Sequence, residues 1–315
     1  MFNPKISIAG KDFANPIWTA SGTFAYGTEF EPFLDLNRVG AVIVKGLSLQ
    51  PREGNPPNRI YETASGMLNS IGLQNVGMVN FVEEKLPRLK RYRTQVIANI
   101  FGKTEEEYVQ IARYLDDNAD IAGIELNISC PNVKEGGIEF GSKPELTYRV
   151  VASVRRAATR LPLYVKLSPN VTDIVIVARA CEEGGADAVT LINTLVGMAI
   201  DVDEQRPVLS TVFGGLSGPA VKPIALRMVY QVSKALRIPV VGIGGISRWQ
   251  DAVEFFLAGA SAIQVGTANF YKPNAVIEIL DGLIQYCERK QITSMQGLTG
   301  ALKVPIEVPE IPAGG

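Results

Sequence analysis

Short apolar runs alternate with longer amphipathic runs along most of the chain, and this alternation limits the folds open to it. Apolar runs separated by helical patterns predict parallel strands that are covered by helices on both faces. Eight such runs in 315 residues favour a closed (β/α)8 barrel over an open sheet. The predicted strands span 17–20, 41–45, 95–100, 123–128, 163–167, 188–193, 240–243 and 262–265.

Further segments decorate this predicted TIM barrel, which we expect to form one domain over residues 1–315. Residues 6–8 and 13–16 predict a hairpin around the turn Gly10-Lys11-Asp12. The connections 46–94, after strand 2, and 194–219, after strand 6, are long insertions of the kind that is usually functional. We expect the tail from about residue 308 to be disordered. The predicted helices span 104–116, 144–160, 173–183, 220–236, 249–257 and 274–288.

Charge and hydropathy argue against two large classes of partner. The net charge is −1 and no basic block is present, which disfavours nucleic acid and anionic membrane surfaces. The first twenty residues contain Lys5, Lys11 and Asp12 and lack a long apolar core, so we expect no signal peptide. No apolar run approaches the roughly 20 residues of a membrane span. These features predict a cytoplasmic protein.

The chain contains no histidine, which excludes every mechanism with a histidine base and every histidine metal ligand. Its three cysteines, Cys130, Cys181 and Cys287, are far apart and form no paired motif. Neither a zinc site nor an iron–sulfur cluster can be built from this spacing, and we predict no metal site. Acid–base chemistry must therefore use Cys, Lys, Tyr, Asp or Glu.

Residues 124–137 contain the best candidate for that chemistry. An apolar strand ends there at Asn127, and a polar loop with two glycines follows Pro131. Pro131 favours an extended backbone at Cys130, which would hold the thiol in a defined position. A cysteine thiolate can act as a base near neutral pH. The alternative is an inert cysteine packed under a loop.

Every predicted strand ends in a polar or glycine residue on the same rim of the barrel. Lysines and asparagines that converge on one mouth predict a flat, anionic ligand with many hydrogen-bonding groups. The alternative is that some of these residues only cap the helices that follow. For Lys166, the alternative is a structural pairing with an acid. The rim residues are Ser21, Lys45, Asn99, Asn127, Lys166, Asn193, Gly244, Gly245, Gly266 and Thr267.

Two glycine turns at the last strands predict a phosphate site. Residues 240–247 run from a strand through Gly244 and Gly245 into a helix, and 263–267 repeat the pattern. Exposed backbone N–H groups and a helix N-terminus favour an anion there. Because the dinucleotide fingerprint is incomplete, the pattern predicts a mononucleotide-like cofactor rather than NAD. Residues 215–218 add a further glycine-rich contact before another helix.

With these motifs the chain resembles the dihydroorotate dehydrogenases, flavin enzymes of pyrimidine biosynthesis, and most of all the class 1B catalytic subunits. The resemblance extends to about residue 288 and implies FMN as the cofactor. Class 1 enzymes use cysteine as the base at the position of Cys130, whereas class 2 enzymes have serine there. The motifs are Gly-Met-Leu-Asn-Ser-Ile-Gly-Leu-Gln-Asn at 66–75, Asn-Ile-Ser-Cys-Pro-Asn-Val at 127–133, Val-Lys-Leu-Ser-Pro-Asn at 165–170, Ile-Asn-Thr at 192–194 and Gly-Gly-Leu-Ser-Gly-Pro at 214–219.

The resemblance assigns roles to particular residues. It implies that Cys130 removes a proton from C5 of dihydroorotate while the hydride from C6 passes to FMN. Lys45 would meet the substrate carboxylate as well as the flavin. The implied FMN-binding residues are Ser21, Lys45, Gly46, Asn99, Asn127, Lys166, Ile192, Gly218, Gly244, Gly245, Gly266 and Thr267. The implied substrate-binding residues are Lys45, Asn69, Ser70, Ile71, Gly72, Leu73, Asn127, Asn193 and Thr194.

The resemblance also implies an assembly. A homodimer of this chain would carry two electron-transfer subunits, each with FAD and a [2Fe–2S] cluster, which pass electrons to NAD. One alternative is a class 1A-like enzyme that reduces fumarate, and another is a flavoprotein acting on a different dihydropyrimidine. From a different class, a phosphate-binding barrel isomerase or a non-catalytic binding protein would share the barrel and the anion site.

Overall fold

A closed barrel of eight parallel strands is the centre of the computed structural model, which describes residues 2–129 and 140–305. The barrel consists of β3, β4, β7, β8, β9, β10, β15 and β16, and β16 pairs with β3 to close it. The predicted (β/α)8 fold is therefore confirmed. The strands are β1 Ile6–Ile8, β2 Lys11–Phe13, β3 Ile17–Thr19, β4 Ala41–Ile43, β5 Ile60–Thr63, β6 Gly66–Asn69, β7 Gln95–Ile100, β8 Gly123–Asn127, β9 Leu163–Lys166, β10 Ala188–Leu191, β11 Leu195–Met198, β12 Ile200–Asp201, β13 Arg206–Pro207, β14 Phe213–Ser217, β15 Val240–Ile243 and β16 Ala262–Val265.

Helices surround this barrel, and local sequence signals set where they begin. The Thr104 side chain caps α3 by accepting a hydrogen bond from the Glu107 N–H, and Asp173 caps α5 in the same way. The six predicted helices correspond to α3–α7 and α9, with ends shifted by a few residues. The α-helices are α1 Met78–Asn80, α2 Leu86–Leu89, α3 Glu105–Asn118, α4 Pro144–Ala157, α5 Ile174–Glu183, α6 Lys222–Ala235, α7 Trp249–Leu257, α8 Ala268–Tyr271 and α9 Ala275–Arg289.

The N-terminal hairpin covers the bottom of the barrel. Its second strand is β2, Lys11–Phe13, rather than the predicted 13–16, because the turn occupies only Ala9 and Gly10. Both turn residues have positive φ, 52° and 72°, as a two-residue hairpin turn requires. The hairpin residues Ile8 and Phe13 pack into one cluster with Trp18 of β3. This cluster closes the end of the barrel opposite the strand C-termini.

The two predicted insertions pair with each other. Strands β5 and β6 come from the insertion after β4, and β11 and β14 come from the insertion after β10. They form one antiparallel sheet in the order β11-β14-β6-β5. At the central β14–β6 pair, Gly215 lies opposite Asn69 and Ser217 lies opposite Met67. The sheet therefore joins two distant parts of the sequence beside the barrel mouth.

The tail predicted to be disordered from about 308 lies outside the described residues. Within the described ranges, no helix combines the length and the hydropathy needed to cross a membrane.

Candidate active site

The polar rim residues lie at one mouth because their strands are parallel. Asn127 is the last residue of β8, and Lys166 is the last residue of β9. These two residues are register partners in neighbouring strands. Asn99 lies one position from the end of β7, where it is opposite Glu125. The barrel therefore places two amides and an ammonium side by side at its carboxyl end.

A carboxylate that the sequence analysis missed lies directly among them. Glu125 is 0% exposed, and its Oε1 accepts a hydrogen bond from Asn99 Nδ2 at 2.6 Å. Its Oε2 accepts one from Gln264 Nε2 at 2.6 Å. Lys166 Nζ lies 3.7 Å from Glu125 Oε1, so the acid pairing considered as the alternative for Lys166 is present at the rim. A charged residue within the apolar run 123–128 was the sequence signal for this network.

Two amide oxygens of this network, Asn99 Oδ1 and Gln264 Oε1, have no hydrogen-bond partner among the described residues. Asn99 is 1% exposed, and its Oδ1 accepts no hydrogen bond within 2–129 and 140–305. This oxygen faces the backbone of Gly46, where an added Cβ would lie only 2.8 Å from it. A buried amide oxygen normally has a hydrogen-bond donor. The Asn99 oxygen is therefore suited to accept a hydrogen bond from a ligand N–H or O–H group.

Lys45 supplies a further cation that has no counter-charge among the described residues. Its Nζ lies close to Gly22, where an added Cβ would be 3.6 Å away, and Ser21 beside it donates a hydrogen bond to the Val44 carbonyl. Within the described residues no carboxylate lies in ion-pairing distance of Lys45. Burial, and then the positive charge of Arg59, lowers the pKa of the Lys45 ammonium below its ordinary value. An anionic ligand would relieve this cost.

Three segments form a tight cradle at the start of α6, and two of them contribute glycines. An added Cβ at Gly245 would lie 2.9 Å from the Gly218 carbonyl oxygen and 2.8 Å from the Lys222 backbone nitrogen. Thr267 Oγ1 donates a hydrogen bond to Ser217 Oγ at 2.8 Å, which ties the segment after β16 to the same place. Bare backbone and hydroxyl groups at a helix N-terminus fit a phosphate.

The remaining predicted cofactor residues adjoin this cradle. An added Cβ at Gly244, which has φ 126°, would lie 3.3 Å from Ile192 Cγ1. At Gly266 it would lie 3.4 Å from Ala20 Cβ, next to Ser21. The structure thus brings the segments after β3, β10, β15 and β16 together at one edge of the mouth.

A second cluster of amides and hydroxyls lies at the ends of β8 and β10. Asn193 Nδ2 donates to Ser129 Oγ at 2.6 Å, and Ser129 Oγ donates to Asn127 Oδ1 at 2.9 Å. The Thr194 N–H donates to Asn193 Oδ1 at 2.8 Å. Ser129 was not among the predicted site residues, although it connects two that were. This cluster offers both donors and acceptors to a polar ring.

The insertion sheet adds the predicted substrate residues from the other side. Asn69 Nδ2 donates to the Gly215 carbonyl at 3.2 Å, and a side chain at Gly215 would collide with Thr194 Oγ1. Asn69 and Thr194 therefore meet across one glycine. The predicted residues that follow Asn69 form the connected loop Ser70, Ile71, Gly72 and Leu73.

Contacts to Asn55 fix the path of that loop. The Asn55 N–H donates to the Ile71 carbonyl at 3.0 Å, and its side chain donates to the Ser70 carbonyl at 2.9 Å. A side chain at Gly72, where φ is 75°, would collide with the Asn55 backbone. Leu73 also has a positive φ of 60°, an unusual backbone for leucine that often marks functional loops.

Cys130, the predicted base, lies outside the described residues. The other two cysteines are free and buried in α5 and α9. Burial raises the pKa of the Cys181 thiol far above its ordinary value and that of Cys287 to about 11. These two thiols are suited to packing rather than to acid–base chemistry. Among the described residues, no three acidic or cysteine side chains form a group that could hold a metal ion.

Together, the fold and the mouth define a class of protein. It is a (β/α)8 barrel whose carboxyl-end mouth combines closely packed glycines, buried amide oxygens and a lysine, and among the described residues neither Asn99 Oδ1 nor the lysine has a partner. Barrels built in this way bind phosphorylated cofactors and substrates at that face.

Comparison with known proteins identifies the family. The model of the dihydroorotate dehydrogenase family matches residues 4–286, and the chain belongs to that family. The chain is 56% identical over 298 residues to a protein of Pelobacter propionicus named dihydroorotate dehydrogenase B (NAD(+)), catalytic subunit, covering 95% of this chain and 98% of the relative. Proteins with the same name from Geobacter metallireducens and Geobacter sulfurreducens are 57% and 56% identical over 299 residues. Each match covers 95% of this chain and 98% of the relative. The family resemblance seen in the sequence is confirmed.

Proposed function

We propose that this chain is the catalytic subunit of an NAD-linked dihydroorotate dehydrogenase, which oxidises dihydroorotate to orotate in pyrimidine biosynthesis. The observation that carries the proposal is Lys45, a partly buried cation with no carboxylate partner among the described residues, at the mouth of a barrel of this family. Relatives at 56–57% identity that are named as the NAD(+)-linked catalytic subunit favour this function over fumarate reduction or another dihydropyrimidine.

The residues present fit FMN as the cofactor. The Gly218–Gly245 cradle and Thr267 would hold the phosphate, and Asn99 Oδ1 offers its unpaired acceptor to the ring system. Lys166 would bring its positive charge to the ring, where it favours the electron-rich, reduced form. When bound, FMN supplies the hydride acceptor for the reaction. The other proposed contacts are Ser21, Lys45, Gly46, Asn127, Ile192, Gly244 and Gly266.

Substrate recognition would rest on charge and on paired amides. Lys45 would bind the carboxylate of dihydroorotate by a charge-assisted hydrogen bond. Asn69, Asn127 and Asn193 carry both donors and acceptors, which match the alternating N–H and C=O groups of the pyrimidine. Thr194 and the loop 70–73 would complete the pocket. Each amide is tethered by a contact within the protein, so the pocket is largely formed before the substrate binds.

Cys130 would remove the proton from C5 while the hydride leaves C6. An ordinary thiol has a pKa of about 8.5, so the site must favour the thiolate for this step at neutral pH. Three residues before it in the chain, Asn127 is fixed by Tyr108, whose hydroxyl donates to the Asn127 carbonyl at 2.7 Å. This anchor would give the segment that leads to Cys130 a rigid starting point.

The electrons would leave through a partner. Relatives that match nearly all of this chain are named catalytic subunits of an NAD(+)-linked enzyme, which supports the presence of a partner subunit. That partner would carry FAD and a [2Fe–2S] cluster and would reduce NAD in the cytoplasm. The insertion sheet supports a homodimer core, because Val196, Met198 and Phe213 expose apolar side chains on one of its faces. Exposed apolar patches of this kind mark protein interfaces.

Anaerobic titration of the purified, FMN-supplemented chain with dihydroorotate tests the proposal. We expect a flavin absorption band that bleaches as about one equivalent of dihydroorotate is added. We also expect slow reoxidation by NAD or fumarate until the electron-transfer subunit is added, which restores NAD reduction. A flavin band that ignores dihydroorotate would refute the substrate, and rapid turnover with fumarate alone would refute the NAD linkage.

A further inference from the structure

A buried carboxylate lies within the barrel below the proposed flavin site and has no role in the chemistry described so far. Glu125 is on β8, two residues before Asn127, and is 0% exposed. Burying a carboxylate is costly unless it is paired and hydrogen-bonded. Its presence in an otherwise apolar strand therefore calls for a specific reason.

The contacts of Glu125 connect it to two proposed FMN residues. Its Oε1 is shared by Asn99 Nδ2 at 2.6 Å and Lys166 Nζ at 3.7 Å. Its Oε2 accepts from Gln264 Nε2 at 2.6 Å. The three partners lie on β7, β9 and β16, so one carboxylate contacts side chains from three strands.

These contacts fix the direction of the Asn99 amide. An ionised carboxylate can only accept hydrogen bonds, so the NH2 group of Asn99 must face Glu125. The Asn99 carbonyl oxygen then points away from Glu125 and lies against Gly46, and it has no hydrogen-bond partner among the described residues. Glu125 thereby makes this position an acceptor for a ligand N–H group.

The same carboxylate also balances charge. Lys166 is buried. Among the described residues, its Nζ has one carboxylate within 4.0 Å, which is that of Glu125. A cation beside a flavin favours the reduced form, and a neighbouring anion weakens that effect. The pair thus presents less positive charge to the ring than Lys166 alone would.

We propose that Glu125 is a positioning residue of the cofactor site, which turns the Asn99 carbonyl toward the flavin and offsets part of the Lys166 charge. It thereby sets the flavin's reduction potential as well as its affinity. This inference rests on the proposed FMN-dependent function. Glutamine at position 125 keeps the shape of the side chain but removes its negative charge and one of its two acceptor oxygens. Aspartate keeps the negative charge on a side chain that is one methylene shorter.

The test uses reductive titration of the FMN-loaded proteins against indicator dyes, without dihydroorotate. In Glu125→Gln we expect reduced FMN to gain at least about tenfold in affinity relative to oxidised FMN, a rise of about 30 mV in the two-electron potential. Glu125→Asp, which keeps the charge, should stay near the wild-type potential. One of the two amides, Asn99 or Gln264, must then turn, and if Asn99 turns the FMN dissociation constant of the Glu125→Gln apoprotein should rise at least about tenfold.

A purely structural role for Glu125 makes a different prediction. Both variants would lower the melting temperature of the apoprotein, and neither would move the potential, which would overturn the inference. If Glu125→Gln does not fold, Glu125→Gln/Lys166→Met, which buries no unpaired lysine, takes its place. Its potential should lie at least about 30 mV above that of Lys166→Met alone, and equal potentials would overturn the inference. Wild-type protein that binds no FMN would instead refute the proposed function before any variant is compared.

Discussion

Gly218 lies so close to Gly66 that a Cβ added to Gly218 would be 2.7 Å from the Gly66 Cα. The two glycines belong to different insertions, one after β10 and the other after β4. Their contact brings the insertion sheet against the edge of the proposed phosphate cradle. Gly218 also has φ 96° and ψ −168°, a backbone conformation that is essentially restricted to glycine.

Gly218→Ala should therefore release FMN. The added methyl group must displace Gly66 and adopt a strained backbone, so the cradle opens and the FMN content after gel filtration should fall at least about tenfold. Gly10→Ala is the matched control, because Gly10 has φ 72° but nothing within 4 Å of an added Cβ. The control should lose only about 1 kcal/mol of folding stability and keep its FMN. Full FMN content in Gly218→Ala would contradict the proposed cradle.

Lys45→Met should weaken orotate binding by roughly tenfold to a hundredfold at neutral pH, the usual value of a hydrogen bond to a charged group. The wild-type protein should bind orotate less tightly as the pH rises through the pKa of Lys45. This pKa is lowered below 10.5 by burial and by Arg59, so the weakening begins earlier than for an ordinary lysine. The variant should lose this part of the pH dependence.

Titration of the flavin spectrum with orotate from about pH 6 to about pH 10 measures both effects. Lys90→Met is the control, because Lys90 forms an exposed ion pair with Asp120 away from the barrel mouth. It should match the wild type at every pH. Equal orotate affinity in Lys45→Met and the wild type would exclude Lys45 as the carboxylate partner.

The barrel was predictable because its signals are local. Each strand is a short apolar run between helical patterns, and parallel strands bring their carboxyl ends to one mouth. This rule placed Asn127 and Lys166 at the same mouth, and the structure makes them register partners in neighbouring strands. The second strand of the hairpin was predicted at 13–16 and lies at Lys11–Phe13, because Ala9 adopts a positive φ that the sequence does not indicate.

The contacts between distant segments could not be predicted in this way. Strands β6 and β14 pair with each other although they belong to two insertions that are far apart in the chain. Glu125 was overlooked because a strand pattern does not show that Asn99, Lys166 and Gln264 converge on the same carboxylate. Tertiary hydrogen-bond networks of this kind become visible only when the barrel is closed.

Cys130→Ser should keep FMN but slow flavin reduction by dihydroorotate at least about a hundredfold, because serine is a much weaker base at neutral pH. This prediction rests on the sequence, since Cys130 lies outside the described residues. Anaerobic stopped-flow spectroscopy measures the reduction rate. Cys181→Ala, which changes a buried thiol in α5, should reduce at the wild-type rate. Near-normal reduction in Cys130→Ser would refute its role as the base.

The other two thiols should be unreactive in the native protein. With a pKa of about 11, Cys287 has about a thousandth of its thiol ionised at pH 8, and burial raises the pKa of Cys181 further. A Cys130→Ser protein should therefore give no rapid reaction with a chromogenic disulfide, and two thiols per chain after unfolding in guanidinium. A fast native thiol in that variant would contradict the buried, structural role of these cysteines.

Phe213→Asp should split the proposed homodimer. Phe213 is 58% exposed and lies opposite Met198 in the β11–β14 pair, so both side chains lie on the same face of the insertion sheet. A carboxylate in the middle of a buried apolar interface should raise the dimer dissociation constant at least about a hundredfold. Sedimentation equilibrium of the FMN-loaded chain measures this change. Ile176→Asp, at a similarly exposed position on α5, should leave the dimer intact. If Phe213→Asp and the wild type have the same mass at micromolar concentration, this face of the sheet does not form the interface.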